Sequence, residues 1–207
     1  MKKIVIIDYG AGNIRSVLNA VRKVADCEAV VASKASDLVE ASHVILPGVG
    51  AFDKAMRNLK LEPEILEFIK KHIADGKPFL GVCVGMQVLA SFGYENGKVA
   101  GFDLIPGEVL KFEDSHELRV PHMGWNNIEI KRSECGKFPV EKFANRDFYF
   151  VHSFYFSCKN AEDVVAETNY GVSFPAIIAK DNIIATQFHP EKSGENGLEF
   201  LKEFLSL

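Results

Sequence analysis

The sequence lacks the features of membrane, secreted and nucleic-acid-binding proteins. No apolar run approaches the ~20 residues needed to cross a bilayer. Asp8 interrupts the first apolar run, in MKKIVIIDYG, and no small-residue cleavage site follows it, which argues against a signal peptide. The net charge of −4 comes from interspersed acidic and basic residues and indicates no nucleic-acid or membrane surface. We therefore expect a cytoplasmic protein.

Cysteine is scarce and unpaired in the sequence. The chain of 207 residues has four cysteines and no CxxC pair, so the usual zinc-ligand spacing is absent and a disulfide framework is not expected. We predict no metal site and no cofactor. Three of the cysteines fit small buried or half-buried positions: Cys27, Cys135 and Cys158.

The first half of the chain alternates short apolar runs with amphipathic stretches. These patterns predict strands at 3–8, 28–32, 43–48 and 78–83, and helices at 14–24, 51–60 and 62–76. Such alternation is typical of a parallel sheet with helices on both faces. After about residue 100, short β-rich runs predict hairpins or an antiparallel extension of the same sheet, and 196–207 predicts a closing helix. We expect one α/β domain over residues 1–207.

Cys83 lies in GVCVG (81–85), where a predicted buried strand gives way to a helix-compatible segment, VGMQVLASF. The pattern G-x-C-x-G is the thiol version of a turn that holds a nucleophile above a sheet. The partial positive charge at a helix N-terminus favours the thiolate, and the N–H of Val84 becomes a candidate oxyanion donor. The alternative is a cysteine that only fills the core.

His189 is the candidate base for this nucleophile. It follows an apolar strand in TQFHPEKS, and Glu191 stands two positions later. In extended backbone, positions i and i+2 point to the same side, so the carboxylate can orient the imidazole. The alternative is a strand-end histidine with a chance acidic neighbour. His43 and His72 fit surface or packing positions, and His116 fits solvent.

A third element is LPGVGAF (46–52). Pro47, Gly48 and Gly50 leave a strand in a conformation that can expose backbone N–H groups to an oxyanion or a carboxylate. Alone, the segment fits an ordinary strand-to-helix turn equally well.

Six motifs occur in one order along nearly the whole chain: DYGAGN (8–13), LPGVGAF (46–52), GVCVGMQ (81–87), PHMGWN (121–126), FVHSFY (150–155) and QFHPEKSG (187–194). In these motifs the chain resembles the class I glutamine amidotransferases of the triad type. Within them, it is most similar to the glutaminase subunits of imidazole glycerol phosphate synthase. The resemblance implies their single-domain fold, a mostly parallel sheet flanked by helices with an antiparallel extension.

The resemblance also implies an activity, the hydrolysis of glutamine to glutamate and ammonia through a cysteine thioester. Cys83 would be the nucleophile, His189 the base and Glu191 its orienting group. Backbone N–H groups of Val49 and Val84 would hold the oxyanion, after a peptide flip in the PGVG segment. Four further residues would bind glutamine: Gly50, Gln87, Glu95 and Ser153. Only its position relative to Cys83 supports Glu95, because the family's acidic run is absent here.

A partner follows from the same resemblance. The family's subunits pass ammonia to a (β/α)8-barrel cyclase, which makes imidazole glycerol phosphate and the aminoimidazole carboxamide ribonucleotide in histidine biosynthesis. Asn13, Trp125 and Lys192 match the interface, and His122 would be a loop histidine in PHMGWN.

Two alternatives remain at this point. One is a paralogous subunit that delivers ammonia to another acceptor, such as a surface sugar. The other is a regulatory binding protein without activity, against which the complete set of Cys83, His189 and Glu191 argues.

Overall fold

The computed structural model describes residues 2–10, 12–38, 41–113 and 119–207. His116, predicted to be solvated, lies outside these ranges. The first half alternates strands and helices as the sequence predicts. The elements are β1 (Lys3–Ile7), α1 (Ile14–Val24), β2 (Glu28–Ala32), β3 (His43–Leu46), α2 (Phe52–Leu61), α3 (Pro63–Ala74), β4 (Phe79–Val82) and α4 (Val84–Gln87).

The second half is mainly β-structure and ends in a helix. The elements are β5 (Phe92–Gly93), β6 (Val99–Ala100), β7 (Gly107–Lys111), β8 (His122–Asn127), β9 (Glu129–Ile130), β10 (Asp147–His152), β11 (Phe154–Cys158), β12 (Val164–Tyr170), β13 (Val172–Lys180), β14 (Ile183–Thr186) and α5 (Gly194–Ser206).

The main sheet joins a parallel half to an antiparallel half. Its order is β2-β1-β3-β4-β14-β13-β12-β9. The pairs from β2 through to β14 are parallel, and those from β14 to β9 are antiparallel. This confirms the expected mostly parallel sheet with an antiparallel extension. Two smaller sheets accompany it, the ribbon β8–β10 and the sheet β11-β7-β5-β6.

Strands β4 and β14 position the site. They are parallel neighbours, with Val82 opposite Thr186 in the register. Both strands end at the carboxyl edge of the sheet. Cys83, which follows β4, and His189, which follows β14, therefore lie at the same edge, where α/β sheets commonly bind ligands. The strands themselves are fully buried along β3, β4 and β14, so this edge rests on a rigid core.

Two sequence predictions about elements are wrong. The helix after Cys83 has only four residues, because the carbonyls of Val88, Leu89 and Ala90 accept N–H groups from the segment 102–105 and do not continue the helix. PHMGWN is a strand and not a loop, since β8 pairs along its whole length with β10.

Candidate active site

Cys83 occupies a strained turn between β4 and α4. Its backbone has φ 54° and ψ −109°, a region that L-residues rarely adopt. The two flanking glycines make this turn possible. A Cβ on Gly85 would lie 1.8 Å from the Leu46 carbonyl oxygen, and one on Gly81 would lie 2.6 Å from the Gly85 carbonyl oxygen. The elbow predicted from GVCVG is therefore present, although its helix is too short for a large dipole effect.

His189 and Glu191 form a buried pair beside this turn. The Nδ1 atom of His189 lies 2.7 Å from Oε1 of Glu191, and neither side chain is exposed to solvent. The backbone between them is not extended as predicted, because Pro190–Lys192 form a 3-10 turn. The Ser193 hydroxyl fixes this turn by donating to the His189 carbonyl oxygen at 2.6 Å and accepting the N–H of Tyr149 at 2.9 Å.

The charges of the site determine the protonation of this pair. Burial lowers the pKa of His189, but the interactions of its ring with Cys83 and Glu191 outweigh burial and raise the pKa to about 10. Burial raises the pKa of Glu191, but the hydrogen bond and charge of His189 lower it below its usual range. Nε2 of His189 has no nitrogen or oxygen partner among the described residues, so this atom is available to the Cys83 thiol. The arrangement can accept a proton from Cys83 and hold it.

Asn13 completes the pair in a way that the sequence did not indicate. Its Nδ2 atom donates to Oε1 of Glu191 at 2.8 Å, and the residue is buried. The interface role predicted for Asn13 stays a prediction, but its amide points at the carboxylate. Asn13 and Glu191 are 178 positions apart in the sequence, which explains why no local pattern pairs them.

A cavity of about 670 Å³ opens onto the Cys83 elbow. The structure brings to its wall all of the residues predicted to stabilise an oxyanion or to bind glutamine: Val49, Gly50, Val84, Gln87, Glu95 and Ser153. Asn13 and Lys192 also line it, whereas Trp125 does not. The roles of these residues remain predictions; their common location is an observation.

The oxyanion candidates lie on two segments that touch. A Cβ on Gly48 would lie 2.6 Å from the Gly85 nitrogen and 2.7 Å from Cβ of Val84, so the PGVG segment packs directly against the elbow. Val84 is the first residue of α4, and the N–H of a first helical residue has no intrahelical acceptor. Gly50 has φ +96°, which favours glycine there.

Glu95 already holds one hydrogen bond. Its Oε2 atom accepts the N–H of Phe52, the first residue of α2, at 2.7 Å. Burial raises the pKa of Glu95, the Phe52 N–H opposes this, and Asp53 adds to it. The carboxylate therefore ties the start of α2 to the cavity wall and has a second oxygen left for a ligand.

Gln187 is a residue of the site for which no role was predicted. It is buried, and its Nε2 atom lies 3.7 Å from the Cys83 sulfur. Nε2 of Gln87 lies 3.3 Å from Oε1 of Gln187 and 2.9 Å from the Phe154 carbonyl oxygen. The motif QFHPEKSG contained the signal, but only the pairing of β14 with β4 shows what Gln187 touches.

The family comparison agrees with this geometry. A family model described as "Glutamine amidotransferase class-I" matches residues 5–206. The chain belongs to the class I glutamine amidotransferases. "Imidazole glycerol phosphate synthase subunit HisH" of Geobacter sulfurreducens is 50% identical, over 99% of this chain and 98% of that one. The protein of the same name from Methanothermobacter thermautotrophicus is 48% identical over 99% of this chain and 98% of that one.

Solved structures support the amidotransferase fold. "Structure of PurLQS from Thermotoga maritima" superposes with a TM-score of 0.72 at 18% identity, covering 99% of this chain and 98% of that chain. "Crystal structure of glutamine amidotransferase" superposes with a TM-score of 0.71 at 18% identity, covering 98% and 99%. At this identity the likeness concerns the fold alone.

The remaining predicted residues lie around the rim or behind it. Trp125 is 57% exposed, and its indole lies 3.8 Å from the position of a Cβ on Gly194, close in sequence to the exposed Lys192. His122 is a buried strand residue and not a loop histidine, because β8 pairs His122 with His152 of β10.

Within the described ranges, no helix has the length and apolar character to span a bilayer. No cluster of metal-ligating side chains occurs among the described residues.

Proposed function

We propose that this class I glutamine amidotransferase is the glutaminase subunit of imidazole glycerol phosphate synthase and acts in histidine biosynthesis. Relatives with that name are 50% and 48% identical over 99% of the chain. The single structural observation that carries the catalytic proposal is the buried His189–Glu191 pair, whose free Nε2 stands at the carboxyl edge that also holds Cys83.

The first half of the reaction forms a thioester. The Cys83 thiol gives its proton to Nε2 of His189, and the sulfur forms a bond to the side-chain amide carbon of glutamine. The imidazolium then protonates the amide nitrogen, the C–N bond breaks, and ammonia leaves. Glu191, which accepts from Nδ1, stabilises the imidazolium during both transfers.

The second half releases glutamate. His189 takes a proton from a water molecule, whose oxygen attacks the thioester carbon, and the C–S bond breaks to regenerate the thiol. In both halves the carbonyl oxygen becomes negative. The N–H groups of Val84 and Val49, which both line the cavity, are the donors that we assign to this oxyanion.

The part of the cavity wall that includes Glu95, Gly50, Ser153 and Gln87 suits the α-ammonium and α-carboxylate groups of glutamine. The Glu95 carboxylate matches the α-ammonium group, because opposite charges attract strongly in a half-buried site. Gly50 and Ser153 supply backbone or hydroxyl groups near the α-carboxylate, and Gln87 offers its side-chain oxygen. These assignments give the ammonium and the carboxylate of glutamine a matching polar group on the cavity wall.

The partner that we propose is a (β/α)8-barrel cyclase that consumes the ammonia. Met123 and Trp125 on β8 are 61% and 57% exposed, which is unusual for large apolar side chains. Lys192 lines the cavity beside them and carries a positive charge. An aromatic and aliphatic patch with one cation at the cavity rim is the kind of surface that a tightly docked partner covers. We place the pair in the cytoplasm, as the sequence analysis expects.

The test measures glutamate release from glutamine by the purified protein. The assay is run alone, with the cyclase barrel of the same organism, and with the barrel plus its ribonucleotide substrate. Cys83→Ala is compared with Cys158→Ala, a matched change at a cysteine outside the cavity. We expect strong stimulation by barrel and ribonucleotide, retained in Cys158→Ala and abolished in Cys83→Ala.

Other results would contradict parts of the proposal. Activity in Cys83→Ala would remove the thioester mechanism. No stimulation, with a folded protein and a barrel that is active on added ammonia, would reject the histidine pathway and favour another acceptor such as a sugar.

A further inference from the structure

A buried pair of histidines reaches the wall of the cavity, where His152 is one of the lining residues. His122 on β8 and His152 on β10 are cross-strand neighbours. The Nδ1 atom of His122 lies 3.1 Å from Nε2 of His152, and both residues are buried. Neither belongs to the catalytic set of Cys83, His189 and Glu191, so the pair needs an explanation of its own.

The hydrogen-bond partners fix the tautomer of each ring. Nδ1 of His152 lies 2.8 Å from the Phe154 carbonyl oxygen, which can only accept, so Nδ1 carries the hydrogen. Nε2 of His152 must then accept, and His122 donates to it from Nδ1. Nε2 of His122 in turn faces the Asn126 amide nitrogen at 3.4 Å. A second proton on His152 would set two N–H groups against each other, so both rings are neutral.

Burial acts in the same direction. It lowers the pKa of His122 to about 4 and that of His152 to about 3, in the latter case against the Phe154 carbonyl, which raises it. The pair is therefore a fixed donor–acceptor chain at neutral pH.

The Phe154 carbonyl oxygen connects this chain to Gln87. It accepts from His152 and also from Nε2 of Gln87 at 2.9 Å. The second acceptor near the Gln87 amide nitrogen is Oε1 of Gln187 at 3.3 Å. With its nitrogen engaged by two acceptors, Gln87 leaves its own side-chain oxygen as the atom free to accept a hydrogen bond from a ligand in the cavity.

We propose that His122 and His152 are positioning residues for glutamine binding, which hold the Phe154 carbonyl and thereby fix the direction of the Gln87 amide. The inference rests on the assignment of Gln87 to the glutamine site under the proposed function. His122 is not among the residues that line the cavity, and it acts through His152, the Phe154 carbonyl and Gln87.

Packing alone does not account for a histidine at position 122. Its ring stacks on Tyr170 and Phe150 at centroid distances of 4.1 and 4.9 Å. A phenylalanine would make the same stacking contacts without burying two ring nitrogens, which costs free energy unless both are hydrogen-bonded. The polar atoms are therefore the distinctive contribution of His122.

The experiment compares two variants that separate hydrogen bonding from packing. His122→Phe keeps the stacked ring and removes both nitrogens. His122→Asn loses the ring but places an amide nitrogen near the former Nδ1, so it can still donate to His152. The control is Tyr170→Phe, which keeps the stacking on His122 and removes only the hydroxyl that donates to the Arg119 carbonyl at 2.7 Å.

Kinetics are measured with barrel and ribonucleotide present. We expect His122→Phe to raise KM for glutamine by about tenfold while kcat changes by less than about threefold, because a lost binding orientation acts on KM. His122→Asn should stay within about threefold of the wild-type KM, and Tyr170→Phe should match the wild type. Long-range ¹⁵N–¹H spectra of the wild-type protein should show the Nδ1–H tautomer for both histidines.

Three results would overturn the proposal. They are an Nε2–H or charged form of either histidine at neutral pH, a wild-type KM in folded His122→Phe, and an equal rise of KM in both His122 variants, which would indicate packing. If the wild type releases no glutamate at all, the proposed function fails first. The glutamine affinity of Cys83→Ala, measured by calorimetry with and without His122→Phe, then decides the positioning role separately: a weaker affinity supports it and an equal one rejects it.

Discussion

Oε1 of Glu191 accepts two hydrogen bonds, one from His189 at 2.7 Å and one from Asn13 at 2.8 Å. Hydrogen bonds from neighbouring groups help a buried carboxylate to remain charged, because isolated charges in an apolar interior are very costly. Asn13 therefore helps to keep Glu191 ionised and aimed at His189. At the scale of single residues, the proposed catalytic pair of His189 and Glu191 therefore has Asn13 as a third member.

We predict that Asn13→Ala lowers kcat for glutamine hydrolysis by about 10- to 100-fold, the loss of one hydrogen bond to a charged group. Asn13→Asp should be worse, because a second carboxylate would lie against the buried Glu191. Steady-state kinetics without any partner subunit measures both. Asn58→Ala, which removes an amide that donates to the Tyr9 carbonyl, is the matched control.

A wild-type kcat in isolated Asn13→Ala, combined with weaker binding of the barrel, would contradict this prediction. It would return Asn13 to the interface role that the family resemblance implies.

The sequence was sufficient for part of this site and not for the rest. Cys83, His189 and Glu191 carry local signals, namely a glycine-flanked cysteine and an acidic residue two positions after a histidine. Asn13 and Gln187 lie in the motifs DYGAGN and QFHPEKSG, but no local pattern shows which residue each of them contacts. Their contacts with Glu191 and Cys83 span 178 and 104 positions, so they depend on which strands become neighbours.

At the scale of elements, the ribbon β8–β10 joins the exposed patch of Met123 and Trp125 to the backbone of His189. Trp125 is opposite Tyr149 in the ribbon, and their rings meet edge-on at 6.0 Å. The Tyr149 carbonyl oxygen accepts the N–H of His189 at 2.9 Å. A displacement of the ribbon therefore acts directly on the backbone of the proposed base, His189.

We predict that Trp125→Ala weakens binding of the cyclase barrel by about tenfold or more, because buried tryptophans dominate interface energies. Leu61→Ala is the control, since Leu61 is equally apolar and 71% exposed on α2. Isothermal titration calorimetry with the barrel gives the dissociation constant of each variant. Equal losses for the two variants, or none for Trp125→Ala, would place the docking surface elsewhere.

Elements whose own residues carry a complete hydrophobic periodicity could be predicted from the sequence. Elements that depend on pairing with a distant strand could not. Helix α1 and strand β2 have the predicted bounds because their periodicity is complete within their own residues. The residues of β8 predict a loop, because the segment follows Pro121 and contains Gly124. Its extended form comes from β10, whose residues lie elsewhere in the chain.

At the scale of the whole molecule, buried neutral histidines make stability depend on acid. Burial lowers the pKa of His43 and His122 to about 4 and that of His152 to about 3. In the unfolded chain the pKa of histidine is ~6.5, so as pH falls the unfolded state binds protons before the folded state does. Stability is therefore full above that pH and is lost as pH falls toward the folded-state values. The pKa of His189 is raised to about 10, so its contribution to stability is complete below pH ~6.5 and is lost only as pH rises above that value.

We predict that the free energy of unfolding falls between pH 6.5 and pH 4, by up to about 1.4 kcal/mol per pH unit for each of these histidines. Urea denaturation at several pH values measures the slope. His43→Leu, which removes one such group from a buried site against Phe204, should give a shallower slope. An unchanged slope in this variant, or flat stability across the window, would contradict the prediction.

The place of β14 in the sheet also bears on how the protein is made. Synthesis completes the Cys83 turn early, yet Gln187 follows 104 positions later. Until β14 enters between β4 and β13, a nascent chain has a cysteine but no base beside it. Closing the core and acquiring the proposed base are thus one event. An unfinished chain cannot waste glutamine.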